Sequence, residues 1–463
     1  MGQGGRAHTA PHARRPPVQL TALDRVARTV LALCWIVVLL EGFDLFVYST
    51  VIPELLDDPD WQLTASEAGR IGSYATFGML IGSLAVGTVT DWIGRRKAII
   101  GCTVWFSVLM AACALAPNPT VFGIGRFLAG LGLGGLIPTA MPLVMEYIGE
   151  HRRGAGATWM MTGYHVGGLV VAALAIAVLP AFGWRAMFWA GALPIVVMLP
   201  LLWRYLPESV DFLLARGRTA EAEAVARRHH VDLDAARARV AAADTGEQPT
   251  RSAALRTIFG HGYLAATLLF FLASFCGLLL VYGFGTWLPE LMRDSGYGLG
   301  SALSFLVVTN VGAVAGLLLT GPIADRLGTK RASAIWFLTG AVFVGLLSIR
   351  MPSALIYLAA ALAGFFLFTA QVVLYAHVGY HYPTATHATA LGWIAGVGRV
   401  GSVIGPALGG VLLDEGAGVW SFYVFALAGL IGAVAMALAP HSPLAPTPSH
   451  WSLRGRAGSP KPA

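Results

Sequence analysis

The stretch GTVTDWIGRRK at residues 87–97 has an echo, GPIADRLGTKR, at residues 321–331, so the two begin 234 positions apart. In both, a Gly is followed four residues later by an Asp, then by a second Gly and a cluster of basic residues. The same offset pairs residues on either side of these stretches: Trp159 with Trp393, Gly167 with Gly401, Gly130 with Gly364 and Tyr48 with Tyr282. The chain is therefore predicted to contain two copies of one structural unit.

The composition of the chain is that of a protein embedded in a lipid bilayer. Of its 463 residues, 56% are apolar and only 12% are charged, against about 25% charged in an average soluble domain. A helix needs about 20 apolar residues to cross the hydrocarbon core. Charged and turn-forming residues divide the chain into twelve such segments: 29–52, 67–90, 98–116, 119–146, 155–180, 184–206, 263–289, 301–322, 332–350, 353–380, 388–413 and 418–439.

We therefore predict an all-α membrane protein with twelve transmembrane helices in two six-helix, pseudo-symmetric halves. Parallel repeats of this kind are typical of transporters that work by alternating access. The predicted parts are a basic tail at 1–28, a first half at 29–206, a linker at 207–262, a second half at 263–439 and a tail at 440–463. The linker is rich in Ala, Arg and Glu and has no long apolar run, as a cytoplasmic amphipathic segment would.

The distribution of positive charge predicts the orientation. Lys and Arg are concentrated in the tails, the linker and the loops after segments 2, 4 and 8, whereas the opposite loops hold only Arg70, Arg185, Arg293 and Arg350. Since short cytoplasmic loops carry the excess of positive charge, we predict a multi-pass protein of the cell inner (plasma) membrane with both termini cytoplasmic. The run 30–40 also resembles the core of a cleaved signal peptide, but no A-x-A-like site follows it, which favours an uncleaved helix.

Several motifs resemble those of a known family. The stretches 87–97 and 321–331 resemble the loop signature of the major facilitator superfamily. Six shorter motifs look like those of its aromatic acid:proton symporter family: EGFD at 41–44, RFLAGLGLGG at 126–135, LPES at 206–209, WLP at 287–289, YPT at 382–384 and GRVGSVIGP at 398–406. The resemblance implies proton-driven import of aromatic carboxylates such as benzoate or hydroxybenzoates. Glu41 in place of the family's usual Asp, and His387 in place of an Arg, leave the carboxylate's identity open.

Ionisable residues inside apolar segments are the candidates for function. An Arg or Asp at the centre of a membrane helix costs about 2.5–3.5 kcal/mol, so it is expected to face a wet cavity or a partner. Glu41 and Asp44 are three residues apart on one helical face, and we predict that they carry the coupled protons. A static salt bridge from Asp44 to Arg126 or Arg399 is the alternative.

The two buried arginines are predicted to bind the substrate. A guanidinium can make two parallel hydrogen bonds to a carboxylate while it stays charged. Arg399 is the preferred substrate ligand, and Arg126 is either a second ligand or a structural or gating group. His165 corresponds to Arg399 at the 234-residue offset and is predicted to lie across the cavity, unless it is a packing histidine. Tyr48, Tyr282 and Trp393 are candidates for the aromatic wall, or for anchors at the membrane interface.

A second group of charged residues is predicted to gate the transporter. Asp91, Arg95 and Arg96 lie at the cytoplasmic end of segment 2, and Asp325 repeats the position of Asp91 in the other half. A carboxylate that pairs across the halves would close this end of the protein, and Glu146 is assigned to the same network. The alternative is that these charges only set the topology.

No cofactor, metal or enzyme activity is expected. Gly130-x-Gly132-x-x-Gly135 has the spacing of a dinucleotide fingerprint, but that fingerprint follows a strand and opens a helix. These glycines lie inside an apolar span, where small residues let helices pack closely. His377, His381 and His387 lack the spacing of a metal site. The predicted partners are a small organic acid, protons and the bilayer, without nucleic acid, and the chain is predicted to be a monomer. A symporter or exporter of another small organic acid or metabolite, and a sensor without transport, stay open as alternatives.

Overall fold

The computed structural model describes residues 25–149, 152–229, 231–244 and 251–440, and most of both predicted tails lies outside these ranges. The described residues form seventeen α-helices and no β-strand. The helices are α1 (Arg25–Asp57), α2 (Ala65–Ile93), α3 (Arg95–Ala114), α4 (Pro119–Leu133), α5 (Leu136–Ile148), α6 (Arg153–Ala192), α7 (Ile195–Tyr205), α8 (Val210–Ala215), α9 (Thr219–His229), α10 (Leu233–Asp244), α11 (Arg251–Ile258), α12 (Leu264–Asp294), α13 (Leu299–Leu327), α14 (Thr329–Leu346), α15 (Ser353–His381), α16 (Thr384–Asp414) and α17 (Gly418–Leu438).

The helices account for the twelve predicted spans. By length and hydropathy, ten helical stretches of the described chain are able to cross a membrane. One of them, Arg153–Tyr205, has 53 residues and turns at Gly183, whose φ of 69° favours glycine, so it supplies two crossings. The 18-residue α14, which packs between α15 and α17, is the twelfth span. The predicted fold class is therefore confirmed, with α1–α7 in the first half and α12–α17 in the second.

The internal repeat appears in the packing of equivalent helix pairs. In the first half α2 packs on α4, and in the second half α13 packs on α15. At six glycines in these pairs, a side chain would collide with a backbone carbonyl of the partner helix, and the six are related two by two at the 234-residue offset: Gly78 with Gly312, Gly82 with Gly316, and Gly130 with Gly364. These glycines let the helix backbones touch, and we call the six the glycine contacts.

The first and fifth spans of each half make a second equivalent pair. Gly167 of α6 lies against the backbone of Leu39 in α1, and Gly401 of α16 lies against the backbone of Phe275 in α12. Gly167 and Gly401 are also matched at the 234-residue offset. Each half is therefore built on the same two backbone-to-backbone contacts.

The two ends of the bundle differ in how they are connected. We call the end that holds Arg25, Ile93 and Leu438 the terminal face, and the end that holds Asp57 and Asp414 the distal face. Next to the terminal face the linker helices α8–α10 pack around Phe212 and Leu213. The linker is fixed to the first half, because the Tyr147 hydroxyl donates a hydrogen bond to the Glu208 carbonyl oxygen at 2.8 Å.

We predict that Gly78→Ala lowers the thermal stability of the protein. The added methyl group would meet the Phe127 carbonyl of α4, and overpacking of this kind costs about 1–3 kcal/mol. Gly87→Ala is the control on the same helix, because nothing lies within 4 Å of the position its methyl group would take. Thermal unfolding in detergent measures both variants, and equal midpoints would contradict the glycine contact.

Candidate functional site

A buried ion pair holds α1 against α4. Arg126 Nη1 lies 2.8 Å from Asp44 Oδ1, and Arg126 Nη2 donates to the Asp44 carbonyl oxygen at 3.1 Å. Both side chains are only 1% exposed. The guanidinium carbon also lies 5.7 Å from the centre of the Tyr48 ring. Asp44 is thus paired with Arg126 and not with Arg399. Arg126 is buried and has no access to the space between the halves.

A cluster of polar side chains lies where the two halves meet, and we call Glu41, Tyr164, Tyr282, Tyr375 and Arg399 the central polar cluster. Glu41 comes from α1, Tyr164 from α6, and the other three from α12, α15 and α16. Glu41 is 2% exposed, interacts electrostatically with Arg399, and has a carboxylate oxygen without a hydrogen bond among the described residues. Tyr164 of the first half and Tyr282 of the second half line the same small cavity.

Arg399 itself is half-buried and makes no ion pair within 4 Å among the described residues. Glu41 interacts electrostatically with Arg399, and so do the hydroxyls of Tyr282 and Tyr375. The structure therefore brings together Glu41, Tyr282 and Arg399, three of the residues that the sequence singled out. A charged guanidinium beside aromatic hydroxyls, in reach of the space between the halves, can bind a carboxylate.

Two further polar side chains next to the cluster were missed by the sequence reasoning. Gln371 Nε2 donates to Ser274 Oγ at 2.9 Å, and Ser274 Oγ lies 3.4 Å from the Tyr375 hydroxyl. Gln371 and Tyr375 are four residues apart, so they share a face of α15. The signal was a Gln inside an otherwise apolar run, which a scan restricted to charged residues does not find.

The cluster is closed on its distal side by a layer from both halves. His165 Nδ1 lies 3.1 Å from Asn310 Oδ1, which joins α6 to α13. The His165 and Phe368 rings are 4.6 Å apart, and Phe46 lies 6.3 Å from Phe368. The cavity left between this layer and Tyr282 is about 10 Å³, room for about one water molecule. His165 therefore contacts the second half through Asn310, and Arg399 is not among the contacts of its ring in the described chain.

Two of the predicted wall residues lie elsewhere. The Tyr48 hydroxyl donates to the Ala68 carbonyl oxygen at 2.6 Å, and its ring is buried beside Arg126 inside the first half. Trp393 is 47% exposed, and its ring packs 6.0 Å from that of Phe259. The structure does not bring either residue to Tyr282. The reason is that the repeat relates backbone positions, whereas the direction of a side chain depends on its own neighbours.

The predicted gating residues lie at the terminal face. The contacts of Arg95 and Arg96 there stay within the first half and the linker. Arg95 Nη1 lies 3.6 Å from Glu146 Oε1 and donates to Ser209 Oγ at 2.9 Å. The backbone N–H of Arg96 donates to Glu208, and its guanidinium donates to the carbonyl oxygen of Trp203. The side chains of Asp91 and Asp325 are exposed. In this conformation the predicted pairing across the halves is not formed by Asp91 or Asp325.

The halves are instead joined at the distal face, by residues that the sequence reasoning used only for topology or not at all. Arg293 of α12 forms an ion pair with Asp57 of α1. Asp414 of α16 accepts hydrogen bonds from the backbone N–H groups of Ala65 and Ser66 at 2.8 and 2.9 Å, at the start of α2. A carboxylate at this position is favoured by the positive end of the helix dipole.

Comparisons with known proteins agree with this architecture. The sequence profile of the Major Facilitator Superfamily matches residues 34–319 and 305–462. The chain is 37% identical to the gentisate transporter of Corynebacterium glutamicum over 87% of this chain and 85% of that protein. It is 34% identical to the benzoate transport protein of Acinetobacter baylyi over 83% of each. The structure of the xylose transporter XylE from E. coli in its inward open conformation matches with a TM-score of 0.74 at 18% identity, covering 89% of this chain and 96% of XylE.

These findings confirm two predictions from the sequence. The first is the resemblance to aromatic acid transporters, because the gentisate and benzoate transporters are 37% and 34% identical to this chain over most of its length. Because these relatives are named as transporters, the expectation that the chain is not an enzyme is also confirmed. Among the described residues no group of three or more His, Cys, Asp or Glu side chains is placed to hold a metal ion.

We predict that Arg126→Gln strongly destabilises the protein and that Asp44→Asn/Arg126→Gln restores part of the loss. The single variant leaves a buried carboxylate without its partner, which typically costs about 3–5 kcal/mol, whereas the double variant leaves no uncompensated charge. Thermal unfolding of the single and double variants measures this coupling. Arg237→Gln, which removes an exposed partner of Glu223, is the control and should cost at most about 1 kcal/mol. Equal losses for Arg126→Gln and Arg237→Gln would contradict the structural role of the buried pair.

Proposed function

Because the chain belongs to the major facilitator superfamily, we propose that it is a proton-coupled transporter that imports aromatic carboxylates of the benzoate and hydroxybenzoate class by alternating access. The observation that carries the proposal is the position of Arg399, a cation between the halves that is half-buried, without an ion pair within 4 Å among the described residues, and close to three tyrosines and Glu41. The named substrates of the relatives, gentisate and benzoate, are aromatic acids. These names are the reason for proposing aromatic carboxylates as the substrate class.

In this proposal Arg399 binds the substrate carboxylate. The aromatic ring then lies among Tyr164, Tyr282 and Phe368, which line the space between the halves. Ring stacking and edge contacts with such side chains favour flat substrates. A hydroxyl on the ring finds the hydroxyls of Tyr164 and Tyr282, which line the same cavity as the ring. Hydroxylated benzoates are therefore the better substrates.

Glu41 carries the proton. The substrate carboxylate and the Glu41 carboxylate compete for the same guanidinium, because Arg399 is the positive charge that acts most strongly on Glu41. When the substrate occupies Arg399, Glu41 loses its compensating charge in a nearly dry environment and takes up a proton instead. Asp44 acts indirectly, since its ion pair with Arg126 fixes α1 and thereby the position of Glu41.

The terminal face is cytoplasmic in this proposal, with both termini inside the cell at its plasma membrane. Short cytoplasmic loops carry the excess of Lys and Arg, and the loop after α2, with Arg95, Arg96 and Lys97, lies at this face. The contacts of Arg293 and Asp414 then close the outside of the transporter. In the opposite state these contacts separate, and the groups at Asp91 and Asp325 close the inside.

We predict that purified protein in liposomes takes up radiolabelled 4-hydroxybenzoate and gentisate when the outside is made acidic. Arg399→Ala should abolish uptake, and Arg399→Lys should raise KM roughly 10- to 100-fold, because Lys keeps the charge but loses the bidentate hydrogen bonds. Arg256→Gln, an exposed site in α11, is the control for a lost positive charge. Normal uptake by Arg399→Ala would remove this residue from the site, and uptake of non-aromatic acids alone would overturn the substrate class.

We predict that Glu41→Gln separates exchange from accumulation. Without an ionisable group the variant cannot carry a proton, so it should exchange labelled for unlabelled substrate across the membrane but gain nothing from a pH gradient. Glu41→Asp keeps the carboxylate and is the matched control, which should still accumulate substrate. The measurement is counterflow and gradient-driven uptake on the same liposomes. Gradient-driven accumulation by Glu41→Gln equal to that of the unaltered protein would assign the proton to another group.

A further inference from the structure

A large pocket outside the transport site opens at the terminal face. It lies between the first turns of α1, the start of α3, the end of α7 and the linker helices α8 and α9, and its volume is about 930 Å³. Pockets for small molecules usually measure about 300–1,000 Å³. The central polar cluster contributes none of its walls. The pocket is therefore separate from the proposed substrate site.

The pocket is strongly basic. It is lined by six Arg or Lys side chains and one His, but by only two carboxylates. Both carboxylates are already engaged: Glu208 accepts hydrogen bonds from the backbone N–H groups of Arg96 and Ser209, and Glu221 accepts two from Arg218. The hydrogen bonds from Arg218 hold the pKa of Glu221 below its usual range, so this carboxylate is ionised at neutral pH.

Four of the basic groups make no close ion pair with a carboxylate among the described residues, although Lys97 lies near enough to Glu221 to interact with it electrostatically. Arg25, Lys97, Arg204 and Arg228 are exposed, and none makes an ion pair within 4 Å with a carboxylate of the described chain. They come from four different elements that converge on one pocket. A positively charged concave site of this kind favours an anion with several acceptor oxygens.

The pocket also has an apolar side and lies at the level of the membrane surface. Its walls include Val26 and Leu33 of α1 and Leu201 of α7, two helices that belong to candidate membrane spans. Trp203, next to the pocket, is 68% exposed and lies 5.9 Å from the guanidinium of Arg96. Exposed Trp and Tyr residues mark the headgroup region of a bilayer. A ligand in this pocket therefore has contact with both headgroups and acyl chains.

We propose that this pocket binds the phosphate of an anionic phospholipid, such as phosphatidylglycerol, at the junction of the first half and the linker. The basic groups contact the phosphate oxygens, and the apolar side of the pocket contacts the start of an acyl chain. Bound lipid would join α1 and α7 to the linker helices α8 and α9, since all four contribute to its walls. The proposal does not depend on the substrate or on proton coupling.

The test is native mass spectrometry of the full-length protein with phosphatidylglycerol and with phosphatidylcholine in matched amounts. We expect bound phosphatidylglycerol on the unaltered protein and an affinity lower by roughly 30-fold for Arg204→Gln/Arg228→Gln, since each basic residue near a lipid surface contributes about fivefold. Arg256→Gln/Arg331→Gln removes the same charge from exposed sites of α11 and α14 outside the pocket, and should bind as the unaltered protein does.

Three outcomes would overturn the proposal. Equal loss of phosphatidylglycerol in the two double variants would assign binding to net charge instead of the pocket. Equal binding of phosphatidylcholine would remove the role of the anionic headgroup. Displacement of the lipid by millimolar inorganic phosphate, with the phosphate bound in its place, would make the ligand a soluble anion. Size-exclusion profiles of both variants show whether each is folded before the binding is compared.

Discussion

An ionised side chain in the hydrocarbon core is stable only beside an opposite charge or water, and this constraint organises the centre of the protein. Arg126 and Asp44 satisfy it with each other, since both are 1% exposed and 2.8 Å apart, although Asp44 Oδ2 and Arg126 Nε have no hydrogen bond among the described residues. Arg399 satisfies this constraint only in part. It interacts electrostatically with Glu41 and is half-buried at the space between the halves. The first pair is therefore a fixed part of the scaffold, whereas the second is available for an exchange of partners. That difference separates the structural charges from those proposed to transport.

The scaffold around these charges is built by contacts of another kind. Within each half, helices approach so closely at the glycine contacts that a side chain would meet a backbone carbonyl. Between the halves, side-chain contacts such as His165 with Asn310 and Arg293 with Asp57 occur beside close backbone contacts of α2 with α16, where Gly69 meets the Pro406 carbonyl and Gly410 meets the Ala65 carbonyl. Contacts that consist of a few polar side chains can be exchanged for water or for other partners, whereas packed backbones cannot. The side-chain contacts between the halves are therefore the ones that can change partners.

The sequence alone predicted most of the fold and singled out Glu41, Tyr282 and Arg399, which the structure brings together. Hydropathy located twelve spans because the length of a span is set by the bilayer, and the 234-residue offset predicted glycine positions that pack alike in both halves. The partner of Asp44 was left open between Arg126 and Arg399, since only the positions of the folded helices decide which guanidinium reaches it. Tyr48 and Trp393 were assigned to the wrong surroundings because the offset does not fix where a ring points. Ser274 and Gln371 were missed because neither is charged.

The glycine contacts also limit how such a protein can evolve. A substitution at one of the six positions affects the spacing of whole helices, whereas a substitution at Tyr375 or Phe368 changes the local shape and chemistry of the space between the halves. The scaffold and the proposed binding surface are thus encoded by different residues. Relatives named for gentisate, benzoate and gallate share about a third of their residues with this chain. Substitutions around the space between the halves can therefore change the substrate specificity while the glycine contacts keep the fold the same.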